Sequence, residues 1–394
     1  MREQELTEVA QLTKQLVEIP SYVSEGHDEQ QVIDFLEAYI KEKLPTYDCK
    51  RSQLQGETRS NLYVTGKKKT RLLFVGHVDT VMPSDGWDTN PLEPIVKDGA
   101  MYGLGVADMK GSVAALLIAL QQVDPNLLDE TAVLLYLDEE YSFAGMYQLL
   151  RDKLYTKADQ PELIVSLDGG LKVLSGCRGL LKIDMEVVGR SGHASNPANG
   201  INVITNVAAA MNELDQLLPE YGSKSLGKTT MNVAFMCAGA VEDVDNPEQM
   251  QRAGNVIPNY ADCIVEFRPA TPQFNGQEAT RLMTKLLIDR GLQVKKLEVK
   301  HDLGAWLGSF DSPWTAFIKD AYREANVGWE PADPQFIGFI DVQMLCEIID
   351  SPTYVIGAGG VNRHGANEHT PLEDLDKAVD LYKILTNNFF AEKQ

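Results

Sequence analysis

Apolar residues recur at helical spacing near the start of the chain, and short apolar runs follow them. Leu6, Val9, Leu12 and Leu16 share one face of a predicted helix, and residues 29–44 repeat this periodicity. The elements predicted in this part are helices at 5–18, 29–44 and 110–122 and buried strands at 71–75, 132–137 and 163–167. Their alternation predicts an α/β domain with a mixed, largely parallel sheet that is buried on both faces.

The pattern changes near residue 180, where apolar and polar residues begin to alternate. The elements predicted from here are strands at 180–188, 230–238, 260–267 and 292–299 and helices at 200–217 and 276–290. This β-α-β-β-α-β order predicts a small inserted α+β sandwich. Helices at 313–325 and 373–391 and an apolar segment at 353–358 then resume the first pattern. We therefore predict one domain of residues 1–179 and 300–394 and an inserted domain of residues 180–299.

Length and charge limit the classes of partner. A chain of 394 residues exceeds one ordinary core, which agrees with two domains. Asp and Glu number 57 against 36 Lys and Arg, and the net charge of -21 repels phosphate backbones and anionic lipids. We therefore expect neither a nucleic-acid partner nor a membrane partner.

The cysteines and the N-terminal segment indicate a cellular compartment. The five cysteines are far apart and form no Cys-x-x-Cys motif, so we expect buried, reduced thiols rather than a disulfide framework or a zinc ribbon. The first residues lack the apolar core of a signal peptide, and no run approaches the roughly 20 apolar residues of a membrane span. We expect a cytoplasmic protein.

Five residues that can bind a metal lie in separate short motifs. They are His77, Asp108, Glu140, Asp168 and His364. Three of the motifs follow predicted strands, whose carboxyl ends meet at one edge of a parallel sheet. Imidazole and carboxylate ligands without thiolate suit zinc and also cobalt or manganese. We predict two ions bridged by Asp108, one also held by His77 and Asp168 and the other by Glu140 and His364.

Two further acidic residues lie beside these ligands. The carboxylate of Asp79 could accept the imidazole N–H of His77 and raise its basicity, and the alternative is a turn residue. Glu139 precedes Glu140, and adjacent side chains point in different directions, so we predict that Glu139 is left free as a general base. Because zinc lowers the pKa of bound water to about 7, such a base predicts amide hydrolysis without a covalent intermediate.

The ordered motifs resemble those of a known enzyme family. They are Gly-His-x-Asp-Thr at 76–80, Gly-x-x-Asp-Met-Lys-Gly at 105–111, Asp-Glu-Glu at 138–140, Gly-His-Ala at 192–194 and His-x-x-x-Glu at 364–368. The chain resembles the di-zinc metallopeptidase family of aminoacylase, carboxypeptidase G, acetylornithine deacetylase, succinyl-diaminopimelate desuccinylase and peptidase T. This resemblance implies two Zn²⁺ ions, with Co²⁺ or Mn²⁺ as substitutes. It also implies that the inserted domain is a lid through which a homodimer forms.

The resemblance also gives roles to three residues of the inserted domain. His193 is similar to the histidine that reaches the partner subunit's active site and steadies the oxyanion. Asn255 resembles a substrate contact, and Arg268 resembles an arginine that binds a substrate carboxylate with two hydrogen bonds. Their structural alternatives are a loop histidine, a turn residue and a salt-bridged strand end.

Departures from the family pattern leave the substrate open. Tyr141 and Phe143 follow the double Glu where relatives often have Gly-Ser, so they either narrow the pocket or pack a helix start. The usual Gly-Thr-Asp appears as 338–341 with Phe and Ile before Asp341, which weakens a substrate role there. Asp168 is typical of aminopeptidases and dipeptidases, whereas the length and the 189–195 segment resemble deacylases. We slightly favour an exopeptidase acting on a short peptide, with N-acyl amino acid deacylation as the alternative. A non-catalytic binding protein on the same fold is the third hypothesis.

Overall fold

The computed structural model describes residues 6–24, 27–247, 250–252, 254–336 and 338–391. Residue 5, where the first helix was predicted to begin, lies outside these ranges. The α-helices of the described residues are α1 (Glu8–Val17), α2 (Gln30–Lys43), α3 (Gly111–Gln121), α4 (Ala144–Asp152), α5 (Val203–Leu217), α6 (Gly276–Ile288), α7 (Pro313–Glu324), α8 (Val342–Cys346) and α9 (Leu372–Ala391). The strands are β1 (Asp48–Gln53), β2 (Ser60–Thr65), β3 (Leu72–His77), β4 (Ile95–Lys97), β5 (Ala100–Tyr102), β6 (Thr131–Tyr136), β7 (Leu163–Ser166), β8 (Leu180–Val188), β9 (Thr230–Gly239), β10 (Tyr260–Arg268), β11 (Gln293–Leu303), β12 (Thr353–Val355) and β13 (His369–Pro371).

The chain divides into two compact units. The first consists of Met1–Ser175, Ser309–Ala332 and Ile340–Gln394, and the second of Gly176–Gly308 and Asp333–Phe339. The predicted inserted domain had narrower bounds, and residues 333–339 were predicted in the other domain.

A six-stranded sheet forms the centre of the first unit, in the order β1-β2-β6-β3-β7-β12. Strands β6, β3, β7 and β12 are parallel neighbours, whereas β1 and β2 are antiparallel. Every residue of β3, β6 and β7 is buried, because helices or neighbouring segments cover both faces. The prediction of an α/β fold with a mixed, largely parallel sheet is confirmed.

Helix α3 lies in the core of the first unit. Its sequence is apolar on all sides, and every residue from Gly111 to Leu120 is buried. It packs against α1 and α9, which bury one apolar face each. The segment that carries Asp108 leads directly into α3, so the buried helix anchors one end of that segment.

The second unit is an antiparallel sheet in the order β11-β8-β10-β9. Inward residues of β8 and β10 pack on α5 and α6, and directly paired Met185 and Cys263 are among them. Asn202 caps α5 by accepting the N–H groups of Ile204 and Thr205. Strand β9 is at the edge of this sheet, and most of its residues are exposed or half-buried.

Two expectations need correction. All five cysteines are free thiols, but they are not all buried: Cys49 and Cys346 are half-buried, and Cys237 is exposed because it lies on the edge strand β9. The elements β1, β2, β4, β5, α4, α8 and β13 were not predicted. Among the described residues, no helix contains an apolar stretch that could span a lipid bilayer.

Candidate metal centre

Three adjacent parallel strands bring together ligands that are far apart in sequence. His77 is the last residue of β3, and Asp168 lies two residues beyond the end of β7. Glu139 and Glu140 lie in the turn after β6. Because β6, β3 and β7 are neighbours in the sheet, their carboxyl ends place these side chains at one edge.

Glu368 fixes the segment that carries Asp108. Its buried carboxylate accepts the backbone N–H groups of Gly105 at 2.9 Å, Ala107 at 2.7 Å and Asp108 at 3.1 Å. Gly105 has φ +78°, and a side chain there would place its Cβ 2.5 Å from Thr80. The His-x-x-x-Glu spacing is visible in the sequence, but it predicts no role for Glu368. Three convergent hydrogen bonds to one carboxylate identify it as the support of Asp108.

His364 lies in a loop with an unusual backbone. Asn362, His364 and Asn367 all have φ near +60°, a region that asparagine tolerates better than most residues. Asn367 also exchanges two hydrogen bonds with Asp88, at 3.0 and 3.1 Å. The loop is thereby tied to the segment after β3, and His364 is held beside Asp108.

The carboxylate of Asp108 lies between two imidazoles. His77 Nε2 is 3.2 Å from Oδ1, and His364 Nε2 is 3.2 Å from Oδ2. Two groups of described residues that share Asp108 could each hold an ion, because the ligand atoms within each group lie within 4.8 Å of one another. The first group is His77, Asp108 and Asp168. The second group is Asp108, Glu140 and His364. Two three-residue groups that share one carboxylate are the arrangement that two bridged ions require.

Glu139 lies closer to the ligands than its sequence position indicated. His77, Glu139 and Glu140 each offer one ligand atom to a third group, whose atoms lie within 4.8 Å of one another, so the carboxylates of the two adjacent residues are closer than we expected. They lie in a turn, where Asp138 has φ +67°, and the alternation of an extended strand does not apply. Burial raises the pKa of Glu139 well above its ordinary value, although nearby His77 opposes this.

Asp79 contacts both His77 and the turn that carries Glu140. His77 Nδ1 donates to the Asp79 backbone carbonyl at 3.2 Å, while the Asp79 carboxylate, expected to accept this proton, is 3.4 Å away. The other carboxylate oxygen of Asp79 accepts the N–H of Glu140 at 2.9 Å. This contact ties the turn after β6 to the end of β3. With Nδ1 carrying the donated hydrogen, Nε2 is the ring atom directed at Asp108.

The carboxylates also perturb both histidines. Hydrogen bonds to Asp108 and then to Glu140 raise the pKa of His364 to about 10. Burial alone would lower the pKa of His77, but its contacts with the carboxylates of Asp108 and Asp79 hold that pKa well above the ordinary value. Each imidazole thus lies beside two carboxylates that stabilise a positive charge, which is the environment a metal ligand needs.

Residues that departed from the family pattern have structural roles here. Phe143 is buried and precedes α4, so it packs a helix start. The Tyr141 hydroxyl donates to the Thr80 carbonyl at 3.0 Å and accepts the Val23 N–H at 3.1 Å. Tyr141 thus joins the turn after β6 to two other segments of the first unit.

Asp341 is buried and cannot be a surface contact for substrate. It accepts the Tyr136 hydroxyl at 2.5 Å, and its second oxygen has no hydrogen-bond partner among the described residues. Burial raises the pKa of Asp341 to about 7. Its contact with the last residue of β6 could not be predicted from the sequence, because the two residues are 205 positions apart.

The remaining predicted residues lie in the second unit. His193 is exposed, and its Nδ1 is 2.7 Å from the Ser195 hydroxyl. The backbone N–H of Ala194 donates to the Asn255 carbonyl at 2.9 Å, which brings these two predicted segments together. Arg268 pairs with Glu266 at 2.8 Å and is one-third exposed, in accordance with its structural alternative as a salt-bridged strand end.

Residues 73–388 match the sequence model of the peptidase family M20/M25/M40. The chain belongs to this family. All five candidate ligands and Glu139 lie within the matched range. The resemblance stated from the motifs is confirmed, and so is the prediction of a metallohydrolase, because members of family M20/M25/M40 are metal-dependent hydrolases.

Relatives within and around this family differ in substrate. Succinyl-diaminopimelate desuccinylase of Azoarcus sp. strain BH72 is 28% identical over 351 residues, which cover 85% of this chain and 87% of the relative. A tripeptidase of Staphylococcus aureus has a TM-score of 0.74 at 18% identity, covering 98% of both chains. The YXEP protein of Bacillus subtilis, a dinuclear metal-binding peptidase of family M20, has a TM-score of 0.70 at 13% identity, covering 98% of both chains. The two structures share the fold with this chain.

Proposed function

We propose that this protein hydrolyses the amide or peptide bond of a small amino-acid derivative at a two-metal centre. His77 and Asp168 would hold one ion, Glu140 and His364 the other, and Asp108 would bridge them. The observation that supports this most strongly is the pair of ligand groups that share Asp108.

The donor set fits divalent zinc, with cobalt or manganese as substitutes. Two imidazoles and three carboxylates converge without a thiolate, and a further carboxylate is available as base. The orientation of His77 agrees with this, because Nδ1 is engaged by a backbone carbonyl and Nε2 faces the bridging carboxylate. When bound, the ions would polarise the scissile carbonyl and make a water acidic enough to lose its proton near neutral pH.

Side chains of the protein would then transfer the proton and contact the substrate. Glu139 would take the proton of the attacking water and return it to the departing amine. Asp79 would orient His77 and the turn that carries Glu140. In the second unit, His193 would steady the oxyanion from a partner subunit, and Asn255 and Arg268 would contact the substrate. The convergence of the His193 and Asn255 segments supports a shared task for those two.

Two substrate classes remain in competition. Asp168 at its metal-ligand position favours an exopeptidase of the aminopeptidase, dipeptidase or tripeptidase type. The relative named a desuccinylase, similar over most of the chain, favours an N-acyl amino acid deacylase. We favour the peptidase and keep the deacylase as the alternative.

A substrate panel separates these classes. We expect the metal-depleted protein to be inactive and to release free amine from Gly-Gly or Leu-Gly-Gly after zinc, cobalt or manganese is added. Carnosine, N-acetylornithine, N-acetylmethionine and N-succinyl-diaminopimelate complete the panel. Release from the N-acyl compounds alone would select the deacylase. No release from any compound with any of the three metals would contradict amide hydrolysis.

The proposed homodimer is supported by the edge strand of the second unit. Strand β9 is ten residues long, lies at the end of the sheet and exposes Phe235 and Met236. An open edge with exposed apolar side chains favours pairing with another strand. We propose that β9 pairs with β9 of a second copy.

Light scattering tests this dimer. We expect twice the mass of one chain for the natural protein and a shift toward the single-chain mass for Phe235→Lys, because a charge would be buried at the new strand pair. Ile288→Lys is the matched control, since Ile288 is 57% exposed on α6, which packs beside the opposite edge strand β11. A natural protein with the mass of one chain would rule out the dimer and a trans-acting His193.

A further inference from the structure

An arginine contacts the candidate centre, and the proposed mechanism does not use it. Arg363 directly precedes His364, and its side chain is 31% exposed. Its Nη1 lies 3.2 Å from Asp168 Oδ1, and its Nη2 donates to the Gly169 carbonyl at 2.6 Å. The same Nη1 is 3.9 Å from Asp108 Oδ2. No role was predicted for Arg363 from the sequence.

The two short contacts have a specific geometry. One nitrogen of the guanidinium binds the Asp168 carboxylate, and the other binds the backbone carbonyl of the next residue. A planar guanidinium with two parallel N–H donors fixes the carboxylate relative to its own backbone. A lysine ammonium has no such rigid fork. Because Arg363 engages Oδ1, we expect the second oxygen of Asp168 to be the one that binds an ion.

The position of Arg363 in the chain also matters. Its neighbour His364 belongs to the ligand group with Asp108 and Glu140, whereas Asp168 belongs to the group with Asp108 and His77. The same loop therefore provides a ligand to one group and a hydrogen-bonded support to the other. A guanidinium beside a cation site is also repulsive, so loss of its charge alone would strengthen metal binding.

We propose that Arg363 is a positioning residue for the metal centre. Its guanidinium holds the Asp168 carboxylate in the orientation in which Asp168 and His77 bind the same ion. This inference rests on the two-metal centre proposed above. The benefit of a fixed ligand exceeds the repulsion between the guanidinium and the ion. Arg363 thus acts on metal binding through Asp168 and does not have to touch the substrate.

Titration of the metal-free protein with Co²⁺ tests this inference without any activity measurement. Calorimetry and visible absorption should resolve two binding steps in the natural protein. We expect Arg363→Gln to weaken one step by about 10–100-fold, the usual effect of losing a support of a metal ligand. The other step should change by less than about threefold, because the ligands Glu140 and His364 do not depend on the Asp168 carboxylate and the Arg363–Asp108 distance of 3.9 Å is the longer contact. Arg363→Lys should lose most of the same affinity.

Two comparisons identify the step and exclude a general structural effect. Asp168→Asn marks the step that depends on Asp168, and adding Arg363→Gln to it should produce little further loss. Arg323→Gln is the matched control, because Arg323 is 74% exposed and pairs only with its helix neighbour Asp320 among the ion pairs of the described residues. Metal-free Arg363→Gln should keep the far-UV circular dichroism and the cooperative unfolding of Arg323→Gln, although it should melt at a lower temperature because its contacts with Asp168 and Gly169 are lost.

The outcomes separate this inference from the proposed function. Natural protein that binds two ions, with an Arg363→Gln variant that binds them equally well or more tightly, overturns the positioning role alone. Equal weakening of both steps, or further loss in the Asp168→Asn background, also overturns it. Natural protein that binds fewer than two ions overturns the two-metal centre and this inference together.

Discussion

Glu139→Gln should lower turnover by about 10²–10⁴-fold, the range expected for loss of a general acid–base group. The amide has nearly the same shape but cannot accept the proton of the attacking water. Because Glu139 is proposed as base and not as ligand, metal content should stay near that of the natural protein. Steady-state kinetics on the best substrate of the panel and elemental analysis of the same sample measure both quantities.

Glu140→Gln is the matched comparison, because it makes the same change one residue later, at a proposed ligand. It should lose metal as well as activity. Glu139→Gln protein that retained turnover would disprove the base assignment. Loss of metal from Glu139→Gln would instead place Glu139 among the ligands, which its proximity to His77 and Glu140 makes a meaningful alternative.

Glu368→Gln should destabilise the first unit by about 3 kcal/mol or more, because a buried carboxylate that accepts three N–H groups is replaced by an amide with one acceptor oxygen. The amide NH₂ would face a backbone donor. The Asp108 segment should lose its fixed position, so metal binding should weaken in parallel. Urea unfolding of the metal-free protein and Co²⁺ titration provide the two measurements.

Glu373→Gln controls for the general effect of removing a negative charge. Its side chain is 75% exposed and pairs with Lys377 on the surface of α9. Such a change should alter the free energy of unfolding by no more than about 0.5 kcal/mol. If Glu368→Gln were no more destabilising than this control, Glu368 would not be the support of Asp108.

Much of the architecture could be predicted from hydrophobic periodicity. Helices α1, α2 and α9 have one apolar face, and strands β3, β6 and β7 are mostly apolar and fully buried because both faces of the sheet are covered. These elements lie within a few residues of their predicted bounds.

The missed elements lack that signal. Strand β1 has the sequence Asp-Cys-Lys-Arg-Ser-Gln and is mostly exposed, since it forms the outer edge of its sheet. Only its pairing with β2 makes it a strand. Strands β4 and β5 are three residues each and too short for a period to be recognised.

The candidate site also contains residues that the sequence predicts and residues for which it has no local signal. His77, Asp108 and Asp168 could be proposed as ligands because their residue types and their positions after strands suit a metal. Glu368 contacts Asp108, and Arg363 contacts Asp168. The two partners of each contact are more than 190 positions apart along the chain. A contact over that distance depends on tertiary packing, and a single sequence contains no local pattern for it.

The ligands of the candidate centre come from five segments that extend from residue 77 to residue 364. None of these segments can form the centre alone, so the unfolded chain offers an ion no comparable set of donors. Bound metal would therefore favour the native state by an amount that grows with the logarithm of its free concentration. Any local opening among the five segments would release the ions, and metal retention would report on the integrity of the whole first unit.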